Sequence, residues 1–244
     1  MQVVILAGGK GLRLREAIKD LPKPMAPVSE RPFLEYLIMQ LAWWGMTEII
    51  LSTGYRSDQI QSYFDDGKRW GVNISYSIEA ELLGTGGAIK KASELIKEES
   101  FIAMNGDSFL ELDFEEFISF SKYKGAAAVL ALTSVEDTTR YGSIEIDDNN
   151  LITKFSEKGK NGKGLINGGV YFFNTEVIKT FPDGKFSVEK DVFPGLIAKR
   201  LYGMRSEGFF IDIGLPQDYL DLCNHPDRLL IGAKVLTIRK EPSL

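Results

Sequence analysis

Apolar positions along the first half of the chain alternate between short continuous runs and helical spacings, a rhythm that predicts β-α units joined by short turns. Residues 3–7 form a buried strand, and Phe33, Leu34, Leu37, Ile38 and Leu41 then recur on one helix face until Gly45 supplies a stop. Residues 48–52 form a second strand. Ile60, Tyr63 and Phe64 mark a short helix, and Val72, Ile74, Tyr76 and Ile78 alternate with polar neighbours as a half-buried strand does. Helical spacing returns at Ala88, Ile89, Ala92, Leu95 and Ile96. Residues 101–104 make a fourth strand, Asp113 and Glu116 read as a capping box opening a helix that buries Phe114, Phe117 and Ile118, and residues 126–132 close this half. Strands separated by helices need crossovers, so an α/β fold with a mostly parallel sheet is expected.

After Thr133 the rhythm changes. Strand patterns at 142–146, 151–155 and 165–173 arrive before any long helix, which is an α+β arrangement. A helix over 189–200, strands at 202–205 and 209–213, and a helix opened by Pro216 follow. The tail beyond Ala233 has no readable pattern. No repeat or Pro/Ser-rich linker separates the halves, so a single domain over 1–244 is expected, with about 1–132 and about 133–233 as halves sharing one core.

Composition is that of an ordinary globular chain, 44% hydrophobic and 26% charged over 244 residues, which excludes disordered and fibrous classes. With 29 basic and 34 acidic residues the net charge is -5, so neither nucleic acid nor an anionic membrane is expected as a partner, and any phosphate must be met locally. Cys223 and His225 are the only cysteine and histidine. That rules out an intramolecular disulfide and a Cys/His zinc site of the usual ligand count, and it favours a cytoplasmic setting. The apolar run at 3–7 is too short for a signal-peptide core or a membrane span.

The first strand runs into Leu6-Ala7-Gly8-Gly9-Lys10-Gly11-Leu12-Arg13-Leu14, where glycine amides can approach a phosphate closely. The segment is neither a Walker A loop nor Gly-x-Gly-x-x-Gly, and a plain glycine-rich β-α turn with solvated basic residues also fits it. Arg15 follows, and Pro22-Lys23-Pro24-Met25 adds a lysine held between two φ-restricted residues. Asn105-Gly106-Asp107 follows a parallel strand, a position suited to a metal ligand or equally to an Asx turn. Glu79 and Leu83-Gly84-Thr85-Gly86-Gly87 span a strand end and a helix start, where exposed amides can meet a ligand or simply allow close packing.

Taken together, these motifs resemble the sugar-1-phosphate nucleotidyltransferases, and the resemblance runs across nearly the whole chain. Residues 19–27, 83–88 and 186–190 are most similar to the D-glycero-D-manno-heptose 1-phosphate guanylyltransferase branch. The resemblance implies a Rossmann-like fold with a mixed, mostly parallel central sheet flanked by helices and a sugar-binding elaboration. It implies a nucleoside triphosphate, GTP in that branch, and a sugar 1-phosphate as partners, with uridylyl or cytidylyl transfer and a noncatalytic nucleotide sensor as the rival readings. Arg13 and Lys23 are implied as catalytic, and Leu6, Ala7, Gly8, Gly9, Gly11, Glu79, Gly84, Thr85, Gly86 and Asp107 as nucleotide-binding. Asp107 and Asp212 are implied as Mg²⁺ ligands, a donor set that phosphate oxygens and water complete. Tyr141, Gly142, Glu157, Lys158, Asn167 and Gly168 are implied as lining the sugar-phosphate pocket, Lys158 meeting the phosphate. Ser187, Glu189 and Lys190 match a further motif for which a helix N-terminus is a sufficient explanation. Leu12 departs from the family, which has a small hydroxyl residue there. Oligomeric state is expected to be monomer or small homo-oligomer.

Overall fold

In the computed structural model, which describes residues 1–9, 11, 14, 18, 20–156, 159, 162–197 and 199–230, strand β1 (Val3–Leu6) lies inside a nine-stranded sheet. Its all-aliphatic sequence suits a strand covered on both faces. Strands β2 (Pro27–Val28) and β3 (Arg31–Pro32) make a small antiparallel pair beside it. Strand β4 (Glu48–Thr53) pairs parallel with β1 on one side and with β5 (Asn73–Ile78) beyond, while β6 (Ser100–Asn105) pairs parallel with β1 on the other side. The chain therefore steps outward from β1 and then returns across it. This reversal is a topological switch point, and the crevice outside the carboxyl ends of β1 and β6 is where such sheets hold ligands.

The sheet turns antiparallel in the second half. A short strand, β7 (Ser108–Leu110), leaves the main sheet, and β8 (Ala128–Val135) pairs antiparallel with β11 (Gly164–Asn174), which itself pairs antiparallel with β6. The hairpin β9 (Ser143–Ile146) and β10 (Ile152–Ser156) joins through Leu165 opposite Ile144. Strand β12 (Leu201–Ser206) lies parallel to β8, and β13 (Phe210–Asp212) pairs antiparallel with β7 apart from the main sheet. In direction β1, β4, β5, β6, β8, β9 and β12 agree, and β10 and β11 oppose them, so the sheet is mixed and mostly parallel.

Alternation along β1 sends Val3 and Ile5 to one face and Val4 to the other. The first face is covered by α1 (Phe33–Trp43), α2 (Ser57–Phe64) and, beyond α3 (Gly84–Ala92), by α4 (Phe114–Tyr123), through Leu34, Leu37, Ile60, Phe64, Phe114 and Phe117. The second face is covered by Ile89 and Ala92 of α3, Val177 and Ile178 of α5 (Thr175–Ile178) and Phe193 of α6 (Phe193–Leu196). Phe173 is fully buried there between Phe101, Tyr171, Phe181 and Phe193 at centroid separations of 5.8 to 6.2 Å, and each such burial stabilises the fold by about 1.5–3 kcal/mol. Helix α7 (Pro216–Asn224) closes over β2 through Tyr219, whose hydroxyl donates to Pro27 O at 2.6 Å. Among the described residues no helix is long and apolar enough to cross a membrane.

Local signals acted largely as read. Asp113 caps α4, its Oδ1 accepting from Glu116 N at 2.9 Å. The helix predicted over 189–200 is a correction. A wide turn at Val188–Val192 leads into α6, which ends at Leu196, with Ile197 already extended. Val188, Val192 and Phe193 are buried at helical spacing, but Pro194 offers no amide to continue the hydrogen-bond ladder and Gly195 follows it.

Candidate active site

Carboxyl ends of the parallel strands deliver the site. Just past β1, Gly8 lies against Glu79, just past β5; a Cβ on Gly8 would stand 2.5 Å from Glu79 Oε1, so only glycine leaves the carboxylate room. Glu79 is 7% exposed, with Oε2 accepting from Leu83 N at 2.8 Å and Oε1 from Ser52 Oγ at 3.3 Å. A carboxylate has about four acceptor positions. Two are filled by the protein, and Glu79 lines a cleft of about 370 Å³ with Leu6, Gly8, Gly9, Lys23, Gly84, Thr85 and Asp107. Ala7 is fully buried and donates its amide to Ser52 O, so it supports the loop from beneath. Gly11 has φ +57, and a Cβ there would meet Lys23 Cβ at 2.8 Å; this glycine lets the loop pass close over Lys23.

At the inner end of the cleft the Lys23 ammonium lies 2.6 Å from Asp107 and 3.5 Å from Asp212. Lys23 is placed by a single helical turn, Lys23–Met25, that Pro22 leads into with Pro24 at its second position. Asp107 follows β6, and Asp212 ends β13, where Gly214 N donates to its Oδ1 at 2.6 Å. Burial, together with Asp107 beside it, pushes the Asp212 carboxyl above the ordinary carboxylate range, against the pull of Lys23. Two carboxylates and one ammonium leave the cluster net negative and ready for a further cation.

A second cavity of about 420 Å³ opens on the far side of this cluster, lined by Asp212, Tyr141, Phe210, Arg140 and Asp218. Tyr141 stands edge-on to Phe210 at 6.0 Å, its hydroxyl accepting from Arg140 at 3.0 Å, and burial raises its phenol pKa. Asn167, on β11, accepts at Oδ1 from Gly169 N at 2.9 Å and donates from Nδ2 to the hydroxyl of Tyr171 at 2.9 Å. Gly142 closes a turn at φ +76, and Gly168 is packed against Leu110 and Ala131. Arg13, Glu157 and Lys158, with Lys10, Leu12 and Arg15, lie outside the described residues, as does the tail from 231.

The glycine-rich start of α3 differs from the expectation of ligand-facing amides. Gly86 N and Gly87 N both donate to Phe186 O, at 3.0 and 3.4 Å, and a Cβ on Gly86 would strike the Phe186 ring. Gly86 does not line the cleft; Gly84, Thr85 and Ala88 do. The glycines here clear space for a loop from the second half of the chain. That loop also brings Lys185 to the cleft wall, and Asn105 completes it from β6. Lys185 was not among the expected site residues, and Asn105 was expected only as the first residue of the Asn105-Gly106-Asp107 turn. Lys185 sits in the same segment as the 186–190 motif, the one signal that pointed toward it.

Residues 2–227 match the family model for nucleotidyl transferase. The chain belongs to the nucleotidyl transferase family. Among curated members it is 44% identical over 226 residues to the D-glycero-alpha-D-manno-heptose 1-phosphate guanylyltransferase of Aneurinibacillus thermoaerophilus, covering 90% of this chain and 95% of that one. It is 40% identical to the enzyme of the same name from Campylobacter jejuni, covering 90% and 97%. Among solved structures, HddC from Yersinia pseudotuberculosis superposes with a TM-score of 0.83 at 39% identity, covering 92% of this chain and 98% of that chain, and it has also been solved in complex with GMP-PN. This nucleotidyl transferase thus shares sequence with D-glycero-alpha-D-manno-heptose 1-phosphate guanylyltransferases, and fold with HddC, over nearly their full length.

Proposed function

We propose that the chain transfers a guanylyl group from GTP to a sugar 1-phosphate, D-glycero-D-manno-heptose 1-phosphate by preference, giving a GDP-sugar and pyrophosphate for glycan synthesis in the cytoplasm. The observation that carries this reading is the meeting of two cavities at the Lys23, Asp107 and Asp212 cluster. One cavity suits the nucleotide and the other the sugar, so their phosphates converge on the cluster. The resemblance to guanylyltransferases supplies the base and the sugar.

In this reading an oxygen of the sugar 1-phosphate attacks the α-phosphorus, the bond from that phosphorus to the oxygen bridging to the β-phosphate breaks, and pyrophosphate leaves in line. The nucleophile is already an anion near neutral pH. Positioning and charge neutralisation therefore supply the catalysis, and no general base is needed. This fits the placement of His225, which is half exposed at the end of α7 with its ring against Asp221 O and lines neither cavity. Lys23 reduces repulsion between the two anionic substrates. Arg13 is assigned to charge growing on the leaving phosphates and Lys158 to the sugar phosphate, with Glu157 and Asn167 on sugar hydroxyls and Tyr141 against the ring.

Asp107 and Asp212, two carboxylates converging on one cation, fit a hard divalent cation and would hold Mg²⁺. Bound there, the ion supplies neutralisation of phosphate charge. At the other end of the cleft, the open acceptor positions of Glu79 complement the N1–H and N2–H donors of guanine, and Lys185 is a donor for O6 or N7.

The test is pyrophosphate release measured with each nucleoside triphosphate against a panel of sugar 1-phosphates. GTP with the heptose 1-phosphate should give the highest kcat/KM. Turnover with UTP or CTP alone overturns the guanylyl assignment, and GTP binding without magnesium-dependent product overturns the enzymatic one.

A further inference from the structure

One polar network in the second face of the sheet connects the nucleotide cleft to Asn167, and its central carboxylate has no part in the proposed reaction. Its hub is Glu189, in the wide turn before α6. Glu189 Oε2 accepts from Thr85 Oγ1 at 2.6 Å and from Ser187 Oγ at 2.6 Å, and Oε1 accepts from the Tyr171 hydroxyl at 3.2 Å. Thr85 belongs to the nucleotide cleft. Tyr171 is fully buried, and its oxygen in turn accepts from Asn167 Nδ2 at 2.9 Å and is hydrogen-bonded by Asn105. Asn167 stands on β11 and is the residue assigned above to sugar hydroxyls, and Asn105 lines the nucleotide cleft.

Proton directions in this network are fixed by chemistry. A carboxylate only accepts, so the hydroxyls of Thr85, Ser187 and Tyr171 must all donate to it. Thr85 Oγ1 is then left as acceptor for Val188 N at 3.0 Å, Ser187 Oγ for Lys190 N at 3.3 Å, and the Tyr171 oxygen for an amide N–H of Asn167, which turns the Asn167 carbonyl to Gly169 N. One anion thus sets the orientation of a threonine in the wall of the nucleotide cleft and of the asparagine assigned to the sugar. Hydrogen bonds to a charged group are the stronger kind, and those inside a protein reinforce one another along a chain.

Resting on the proposed guanylyl transfer, we infer that Glu189 is a positioning residue that holds the nucleotide and sugar-phosphate subsites in register through Thr85 on one arm and Tyr171 with Asn167 on the other. Glu189 touches neither substrate in this assignment. It acts by fixing the two walls between which the attacking oxygen and the α-phosphorus are aligned, and misplacement of either wall lowers the rate.

The arms can be cut separately, with the best substrate pair from the panel above. Tyr171→Phe keeps the packed ring and removes only the hydroxyl; it should raise KM for the sugar 1-phosphate by roughly two- to tenfold and KM for the nucleotide, which this arm reaches only through Asn105, by less. Thr85→Val should do the reverse. Glu189→Gln, which gives the hub a donor where acceptors are needed, should move both KM values and lower kcat by roughly ten- to a hundredfold, because charged hydrogen bonds are lost. The double variant T85V/Y171F should cost less than the product of its single effects. Thermal midpoints of all four are measured alongside. Tyr171→Phe changing neither KM, or changing both equally with a lowered midpoint, overturns the inference, and it does so whether or not Glu189→Gln folds. Absence of turnover by the wild type with every pair would instead fault the proposed reaction.

Discussion

Gly84 and Gly71 share a positive φ and differ in surroundings, which makes them a matched pair for testing how α3 is held. Their φ angles are +71 and +73. An alanine at either position carries the left-handed cost of about 1–2 kcal/mol. At Gly71 nothing lies within 4 Å of the added Cβ, whereas at Gly84 the Cβ would stand 2.5 Å from Phe186 O. That oxygen is backbone and is tied down by Gly86 N and Gly87 N, so it cannot swing aside as a side-chain tip would. Overpacking of this kind costs about 1–3 kcal/mol more. For a chain of this size each kcal/mol lowers Tm by roughly 2–4 °C, so Gly71→Ala should lose roughly 2–8 °C and Gly84→Ala roughly 4–20 °C. The loop displaced by Gly84→Ala also carries Lys185 and Glu189, so its KM for GTP should rise while that of Gly71→Ala stays at the wild-type value. Differential scanning calorimetry and pyrophosphate-release kinetics read the two effects. Equal Tm losses, or an unchanged KM for GTP in Gly84→Ala, would refute the argument that the glycines at the start of α3 exist to admit residues 184–186.

Other outcomes follow from the same geometry. Lys185→Met should raise KM for GTP by roughly ten- to a hundredfold with kcat nearly unchanged, the scale of one base-edge contact, and an unchanged KM would remove Lys185 from base recognition. Arg13→Ala should lower kcat by orders of magnitude with Tm intact, since the guanidinium is assigned to charge that develops only as pyrophosphate departs; an unaltered kcat removes it from the mechanism. For Asp212 the folded carboxyl titrates above its unfolded value, so the folded state holds that proton more tightly. Its ionisation destabilises the fold near neutral pH, and the penalty is relieved as pH falls through the folded value. Asp212→Asn should therefore abolish turnover, keep or raise Tm at pH 7, and gain less Tm than the wild type as pH falls from neutral into the carboxylate range. A steeper gain in the variant would contradict the assigned cause.

What could be read from the amino-acid order was what period and chain-neighbour chemistry determine. The strands β1, β4, β5 and β6 carry continuous or alternating apolar runs, and α1 and α4 carry one buried face each, so their positions follow from residues within a few places of one another. Strand β13 was legible as the apolar run at 209–213, but β7 was not, and neither showed its partner. Each is three residues long, and what brings them together is mutual pairing across the fold, Ser108 opposite Asp212, which no local window contains. The same pairing is what carries Asp212 to Asp107. The 189–200 helix failed for the converse reason, because its apolar period was sound and the missing amide of Pro194 outweighed it.

The glycines sharpen this into a rule about sites. Gly8, Gly11, Gly84 and Gly86 all look alike in sequence, small residues near a strand end that admit something close. In the fold Gly8 admits the carboxylate of Glu79, Gly11 the side chain of Lys23, and Gly84 and Gly86 the backbone and ring of Phe186. Each intruder is part of the protein itself, and three of them then present or carry the groups assigned to ligands: Glu79, Lys23, and the loop with Lys185. A glycine-rich phosphate-loop pattern therefore marks where chain segments must interpenetrate to build a site at least as much as where a ligand touches backbone. Substituting such a glycine should perturb binding through the intruding residue, which is why Gly84→Ala is expected to be felt at Lys185 and Glu189, residues far along the chain, and why Gly9, with open space around its Cβ, should accept alanine with the least loss of fold stability.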